Sequence, residues 1–186
     1  MIRPCVAGAV LLSIASGAVG AQSNDLTRWD ASRDALTFRL SARTPSQMAA
    51  FYEGRGVVRR AIDQIRAACF LGGVIVNRTP DVLWIDLEQW RFLDRAGQSI
   101  RRYKREYWTD VWKRLDVPLA NRSVFNWTQL PEQRDLRPAE SVGGNLSLVP
   151  PKGSFVLEAH FPQGAARDKG EMVVRVENLH CPRDSE

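Results

Sequence analysis

The sequence has very little of the residues on which most catalytic sites depend. Only two histidines and three cysteines occur among its 186 residues. The histidines, His160 and His180, fall late in a strand-rich region without a Gly-x-Ser-x-Gly segment, so a nucleophilic triad is not predicted. The sequence also lacks a His-Glu-x-x-His motif, a Cys-x-x-Cys motif and a glycine-rich phosphate loop. We therefore expect a protein that is not an enzyme and that uses no cofactor.

Long apolar runs are also scarce, and the clearest one lies near the N-terminus. Val6–Val19 carries no charge and is followed by Gly20 and Ala21. It is shorter than the ~18–20 residues that a membrane-spanning helix needs, which disfavours a retained anchor. The pattern is typical of a secretory signal peptide over 1–21, with cleavage near Ala21. We expect a periplasmic or secreted protein that does not span the membrane after this leader is removed.

Cysteine usage agrees with export. Without the leader only Cys69 and Cys181 remain, and an even pair in an oxidising compartment predicts a disulfide. The bond would close a loop of about 110 residues, worth about 4–5 kcal/mol in the chain-entropy model. Two buried free thiols are one alternative. Metal binding with the neighbouring His180 is another, which is disfavoured because adjacent residues on a strand point to opposite faces.

The charge balance is mildly basic. Removing Arg3 from the 26 basic residues leaves 25 against 21 acidic ones, a net charge near +4. For an exported protein this favours acidic envelope surfaces over nucleic acid as partners.

The first part of the mature chain combines a polar leader, a strand and a helical hairpin. Residues 22–34 show no pattern and are expected to be a flexible leader. Leu36, Phe38 and Leu40 alternate along a half-buried strand. Thr44-Pro45-Ser46-Gln47 is typical of a helix start with a capping box. It opens a predicted helical insertion over 44–68.

The segment from Cys69 to Asp94 holds the greatest concentration of core-forming side chains. Two apolar runs flank the turn formers at 77–81, which predicts a central β-hairpin. The alternation of apolar and polar residues inverts after Glu88, and this predicts a bulge near Glu88–Trp90. A turn at 94–98 and a returning strand at 99–103 follow.

The rest of the chain predicts one more helix and several strands. The apolar stripe of Lys104–Asp116 indicates a helix. A strand is predicted at 124–128 and a loop at 130–138. Three alternating segments, at 142–149, 154–161 and 172–179, predict strands. The fold class is therefore mainly β (α+β), an Ig-like antiparallel β-sandwich in one domain over 35–181, with helical insertions at 44–68 and 104–116 and a tail at 182–186.

Three segments resemble small Ig-like domains of bacterial envelope proteins. They are the pair Val-Ile-Val-Asn-Arg-Thr and Leu-Trp-Ile-Asp-Leu, the Asp-Arg-Ala-Gly turn, and Leu-Arg-Pro-Ala-Glu-Ser-Val-Gly-Gly-Asn-Leu-Ser-Leu. The resemblance covers Cys69–Ser99 and Leu136–Cys181, whereas the helical insertions depart from a plain Ig-like domain. The whole chain is similar to uncharacterised exported proteobacterial proteins. The resemblance implies an architecture and no particular activity.

Two surface groups are candidate binding sites. Trp84, Asp86 and Glu88 share one face of a predicted strand, where two acids beside an aromatic ring suit a sugar; a solvated sheet face is the simpler interpretation. The basic cluster comprises Arg101, Arg102, Lys104 and Arg105 and suits anionic lipid or polysaccharide; the end of a solvated strand is the simpler interpretation there. Trp108 and Trp112 have helical spacing and are expected to pack in the core.

These observations leave three functions open. The preferred one is a non-enzymatic domain that binds an envelope protein or assists envelope assembly. The second is a module that binds a glycan or an anionic surface through Trp84 and Arg101–Arg105. The third and least favoured is a glycan hydrolase that uses Asp86 and Glu88. No catalytic or metal-binding residue is predicted under the first two.

Overall fold

The computed structural model of the chain describes residues 27–184, so the predicted signal peptide and its cleavage site lie outside the described residues. Strands and helices alternate in blocks within this range. The strands are β1 (Arg28–Arg33), β2 (Leu36–Arg43), β3 (Cys69–Asn77), β4 (Leu83–Asp86), β5 (Arg91–Asp94), β6 (Gln133–Leu136), β7 (Ser141–Leu148), β8 (Phe155–Pro162) and β9 (Glu171–Leu179). The helices are α1 (Pro45–Glu53), α2 (Arg59–Arg66), α3 (Arg105–Arg114) and α4 (Leu119–Trp127).

The strands form three antiparallel sheets around a shared core. One sheet has four strands in the order β1-β2-β3-β7, a second pairs β4 with β6, and a third has the order β5-β8-β9. Apolar residues from all three sheets form a single buried cluster, and the rings of Phe38, Trp90 and Phe161 contact one another within it in edge-to-face or tilted arrangements. The mostly β, α+β class predicted from the sequence is confirmed.

The helices form a second, smaller core on the opposite face of the four-stranded sheet. Thr44 caps α1, because its side chain accepts from the Gln47 amide while the Gln47 side chain accepts from the Thr44 amide, which confirms the predicted capping box. Phe70 of β3 packs among helix residues that include Trp108, Trp112 and Phe125. The predicted burial of both tryptophans of α3 is confirmed.

The helical layer covers only one end of this sheet's outer face, the face turned away from the main core. Phe70 lies opposite Ser147 in the register of β3 and β7, and the Trp108 indole donates to the Ser147 hydroxyl at 2.8 Å. The next pair on the same face is Gly72 and Asn145, and the one after that is Val74 and Gly143. The helices therefore leave the outer face uncovered where its side chains are small.

The predicted central hairpin is wrong. Its first arm, β3, pairs with β2 and β7, and its second arm, β4, pairs with β6 in another sheet. Asn77 turns the chain, because its amide donates to the carbonyls of Asp81 and Leu136 while its oxygen accepts from Thr79. In the sequence, two adjacent apolar runs are equally compatible with a hairpin and with a chain that crosses from one sheet to another. The second arrangement occurs here because β2 and β7 already occupy both edges of β3.

Further local predictions require correction. The inversion at Glu88–Trp90 is produced by a turn between the separate strands β4 and β5, not by a bulge within one strand. The strand predicted at 124–128 is the end of α4, because burial of Phe125 in the helical core outweighs the β preference of Val124 and Trp127.

Two stretches predicted to be irregular contain strands. The expected loop at 130–138 includes β6, and the expected leader at 22–34 includes β1. Trp29 and Ala31 of β1 pack against the main core. Two apolar residues are too few to produce a recognisable alternation in the sequence. The strand predicted at 99–103 is reduced to isolated bridges at Ser99 and Arg102.

The predicted disulfide between Cys69 and Cys181 is confirmed, with Cα atoms 5.7 Å apart. It ties the start of β3 to the segment that follows β9. Across residues 27–184, none of the helices has the length and apolar character that crossing a bilayer would require.

Candidate functional site

The bare part of the outer sheet face forms the floor of a groove of about 490 Å³. This volume falls within the range of ligand-binding clefts, roughly 300–1,000 Å³. We call it the arginine groove. Its lining comes from β1, β2, β3 and β7 below and from α1 and the end of α4 beside it; the residues are Arg28, Arg39, Leu40, Ser41, Arg43, Phe51, Gly72, Gly73, Val74, Thr128, Gly143, Gly144 and Asn145.

Small residues make the floor accessible. Gly72 and Gly143 lie on the outer face, and a Cβ at Gly143 would meet nothing nearer than 3.4 Å. The adjacent Gly144 points the other way, since a Cβ there would lie 2.3 Å from the Leu130 nitrogen. The two glycines of this pair therefore have different roles. Gly144 permits close packing inside, whereas Gly143 leaves space outside.

Three arginines surround the centre of the floor. Arg28 of β1 lies directly opposite Ser41 of β2, and Arg39 and Arg43 flank Ser41 on the same face of that strand. At 3.3 Å per residue, the Cα atoms of Arg39 and Arg43 are about 13 Å apart. Ser41 in turn lies opposite Gly72. The three guanidinium groups therefore place positive charge around the backbone of Ser41 and Gly72.

The positive charge in the groove is only partly neutralised. The Asp30 carboxylate accepts from Nε of Arg28 at 3.2 Å and from Nε of Arg39 at 3.0 Å. Each guanidinium has five N–H donors, so this pairing leaves donors for a ligand. Within residues 27–184, no carboxylate lies within 4.0 Å of the Arg43 guanidinium. Asp30 therefore partly neutralises Arg28 and Arg39, whereas Arg43 keeps its full charge.

A stack of side chains positions Arg43 at the wall. Its guanidinium carbon lies 5.3 Å from the centroid of the Phe51 ring on α1. Arg55 contacts the same ring at 3.6 Å and donates to the Phe51 carbonyl. Cation–π contacts of this kind orient a guanidinium without neutralising it. The wall is therefore both ordered and charged.

The other wall is a hydrogen-bonded polar cluster. The Tyr52 hydroxyl lies 2.7 Å from the Thr128 hydroxyl and accepts from the side-chain amides of Gln129 and Asn145. Burial raises the pKa of Tyr52 above its ordinary value. Thr128 and Asn145 face the groove, whereas Tyr52 is fully buried behind them. This cluster presents neutral donors and acceptors beside the arginines.

The arrangement can bind an anion. Guanidinium groups recognise carboxylates and phosphates through paired hydrogen bonds. The lining contains no carboxylate, histidine or cysteine to serve as a general base or nucleophile. In the part of the chain that the structure describes, no group of three or more His, Cys, Asp or Glu residues is placed to hold a metal ion.

The predicted acidic pair, Asp86 and Glu88, lies outside the groove, and each member makes different contacts within the protein. Asp86 is only 6% exposed, and it accepts from the Glu88 amide and the Gln89 side chain within the turn after β4. Glu88 instead contacts Arg102 and Lys104. Trp84 is half-buried, and its indole donates to the Gly164 carbonyl while Arg167 lies over its ring at 4.3 Å.

The predicted basic cluster is largely engaged within the protein. Arg102, with a side chain 10% exposed, forms a paired contact with Glu132 at 2.6 and 3.0 Å. Lys104 contacts Glu88 at 2.7 Å. Arg101 stacks on the rings of Tyr103 and Tyr107. Arg105 alone of the four lines a separate surface depression beside Trp127.

The sequence analysis did not identify the arginine groove, although two signals were present. Arg39 and Arg43 occupy the polar positions of a strand whose alternate residues are buried, and the glycine pairs 72–73 and 143–144 fall within strands. Neither signal reveals that the two glycine pairs lie side by side. Only the pairing of β3 with β7 does so.

Comparisons with known proteins give little further guidance. No family model matches the chain, and no curated protein matches it. Among solved structures, the chain is similar to the yjhA protein from Bacillus subtilis, with 14% sequence identity and a TM-score of 0.40, over 70% of this chain and 76% of that one.

Proposed function

We propose that the protein is a non-enzymatic binding domain that holds an anionic ligand in the arginine groove. The observation that carries this proposal is the placement of Arg28, Arg39 and Arg43 around the Ser41–Gly72 floor, where Asp30 pairs with the first two and leaves the third without an acidic partner. The ligand contributes carboxylate or phosphate groups, which the guanidinium donors bind, and the polar wall at Thr128 and Asn145 binds its neutral groups.

Of the two binding functions left open by the sequence, the groove favours the anionic one. A protein partner of unspecified chemistry requires no cluster of cations over a glycine floor. The hydrolase alternative is disfavoured because Asp86 and Glu88 engage in separate local contacts. We therefore assign the binding role predicted for Trp84 and Arg101–Arg105 to the groove instead, and of these residues only Arg105 lines the depression that shares Gly143 with it.

The setting of this function is also part of the proposal. The predicted signal peptide places the domain in the periplasm or outside the cell, and the Cys69–Cys181 disulfide supports an oxidising location. The proposed architecture is Ig-like, and the antiparallel sheets around one core support it. Acidic polymers of the envelope are then the accessible ligands.

The test compares groove arginines with arginines elsewhere. Wild-type protein is titrated by calorimetry with polyphosphate and with oligouronate, a sugar polymer with one carboxylate per ring. The double variant Arg39→Gln/Arg43→Gln is measured beside Arg59→Gln/Arg137→Gln, which removes the same charge from exposed sites outside the groove. Gly143→Val is added because its branched side chain would occupy the floor at a position where a Cβ meets no atom nearer than 3.4 Å.

We expect the groove double variant and Gly143→Val to lose at least about tenfold in affinity for both polymers, and the control to change less than about threefold. Equal losses in the groove and control double variants would mean that only net charge matters. That result, or the absence of binding by wild-type protein, would overturn the proposal.

A further inference from the structure

Trp127 is the most exposed large apolar residue in the described part of the chain. Its exposed fraction is 88%, although the same helix, α4, buries Phe125. It makes no ring contact with the aromatic cluster formed by Trp108, Trp112 and Phe125. A tryptophan in this position adds nothing to the core, whereas its flat face is available to a ligand.

Trp127 lines a depression of about 390 Å³ that continues from the arginine groove. We call this depression the Trp127 shelf; its lining is Arg105, Asn126, Trp127, Gln129, Pro131, Arg134, Val142 and Gly143. Gly143 belongs to both cavities. Thr128 lines the groove while its chain neighbours Trp127 and Gln129 line the shelf. A long ligand could therefore contact both cavities at Gly143, which has no side chain to separate them.

The shelf surrounds the indole with cationic and amide groups. No carboxylate lies within 4.0 Å of the Arg105 side chain among residues 27–184, and the nearest one to Arg134, that of Glu140, is at 3.8 Å. Asn126 and Gln129 add amide groups. An aromatic face, free guanidinium donors and amides together match a sugar ring that carries an acidic group.

We propose that the Trp127 shelf is a sugar-stacking subsite, and that the ligand of the groove is an anionic polysaccharide. This inference rests on the proposed function, because the same polymer occupies both cavities. The indole covers the apolar face of one ring, Arg105 and Arg134 bind its carboxylate, and the next acidic groups reach Arg39 and Arg43. The disulfide argues against nucleic acid, the other polymer that stacks on aromatic rings.

The experiment separates stacking from charge. Wild type, Trp127→Ala, Trp127→Phe and Leu119→Ala are titrated with oligouronate, with polyphosphate, which has no ring, and with single-stranded DNA. Leu119→Ala is the matched control because Leu119 is also exposed on α4, at 77%, and lies outside both cavities. Acrylamide quenching of tryptophan fluorescence is measured with and without oligouronate.

We expect Trp127→Ala to weaken oligouronate binding by about tenfold and polyphosphate binding by less than about twofold, since stacking on an aromatic ring depends on a ring in the ligand. Trp127→Phe keeps most of the affinity, Leu119→Ala has no effect, and oligouronate shields wild-type fluorescence from quenching. If Trp127→Ala weakens both polymers equally or neither, the shelf proposal fails while the groove proposal stands. If DNA binds more tightly than oligouronate, with the same dependence on Trp127, the polysaccharide assignment is overturned.

Discussion

A Cβ added to Gly144 would overlap the backbone nitrogen of Leu130 and lie 2.7 Å from its Cα. β7 and the segment after α4 therefore touch backbone to backbone, and the Leu130 amide donates to the Asn145 carbonyl at 3.0 Å. This contact joins the helical layer to the edge of the four-stranded sheet. Only a hydrogen fits between them.

Gly144→Ala is expected to be strongly destabilising. Its methyl group must displace backbone atoms, and overpacking of this kind costs about 1–3 kcal/mol or more. The matched control is Gly143→Ala, whose Cβ would meet only ordinary contacts, so its stability should stay within about 0.5 kcal/mol of wild type. Urea denaturation measures both. Equal stabilities of the two variants would contradict the assigned contact.

Removal of the disulfide should lower stability by a large amount. The bond joins residues 112 positions apart, and the chain-entropy model assigns a loop of that length about 4–5 kcal/mol. Cys69→Ser/Cys181→Ser should therefore unfold at much lower urea concentration than oxidised wild type. Reduced wild type is the control and should resemble the double variant. A difference below about 1 kcal/mol would contradict the loop-closure contribution assigned to this bond.

Alkaline pH should lower the stability of the fold because it favours ionisation of the buried Tyr52 hydroxyl. Burial raises the pKa of this hydroxyl in the folded state, so its contribution to stability is complete below the unfolded value of about 10 and is lost as pH rises through the folded value. Tyr52→Phe has no group to ionise there. Its stability should fall less between about pH 10 and 11.5 than that of wild type, measured by urea denaturation.

At neutral pH the same Tyr52→Phe variant should be less stable to unfolding than wild type. It loses the hydrogen bond to Thr128 and those from Gln129 and Asn145, and an unsatisfied partially buried partner costs about 1–3 kcal/mol. Parallel stability curves for the two proteins above pH 10 would argue against the buried hydroxyl as the source of the alkaline effect.

Arg102 and Glu132 should form a stabilising pair. The Arg102 side chain is 10% exposed and its guanidinium is held by both oxygens of Glu132. Glu132→Gln should cost about 1–3 kcal/mol, because a mostly buried cation loses its principal counter-charge. Glu140→Gln is the control, since its contact with Arg134 is long and exposed, and it should cost less than about 0.5 kcal/mol. Similar losses in both variants, by thermal and urea denaturation, would contradict this distinction.

The sequence predicts those parts of the fold whose signals are local. The Thr44 capping box, the stripe containing Trp108 and Trp112, and the alternation of Leu36, Phe38 and Leu40 each arise from neighbours in the chain. The Cys69–Cys181 bond was predictable because two cysteines remain once the predicted leader is set aside. None of these predictions required knowledge of which strands pair.

Which strands pair with each other could not be predicted from such local signals. β3 and β4 follow each other and are both apolar, yet their hydrogen bonds go to β2, β7 and β6. The arginine groove depends on that pairing, because only the β3–β7 register sets Gly72 beside Asn145 and Val74 beside Gly143. The exposure of Trp127 depends on α4 forming a helix where its residues favour a strand.

The covalent link from Cys69 to Cys181 has a consequence for how the protein withstands proteolysis. It encloses every strand from β3 to β9 in one ring of chain. A protease that cuts once within this ring, for example at the exposed turn between β8 and β9, opens a nick without releasing either fragment. The two ends stay tethered beside each other and can return to their native positions. A single cleavage within the ring thus leaves the strands and the helices that border the groove covalently attached to one another.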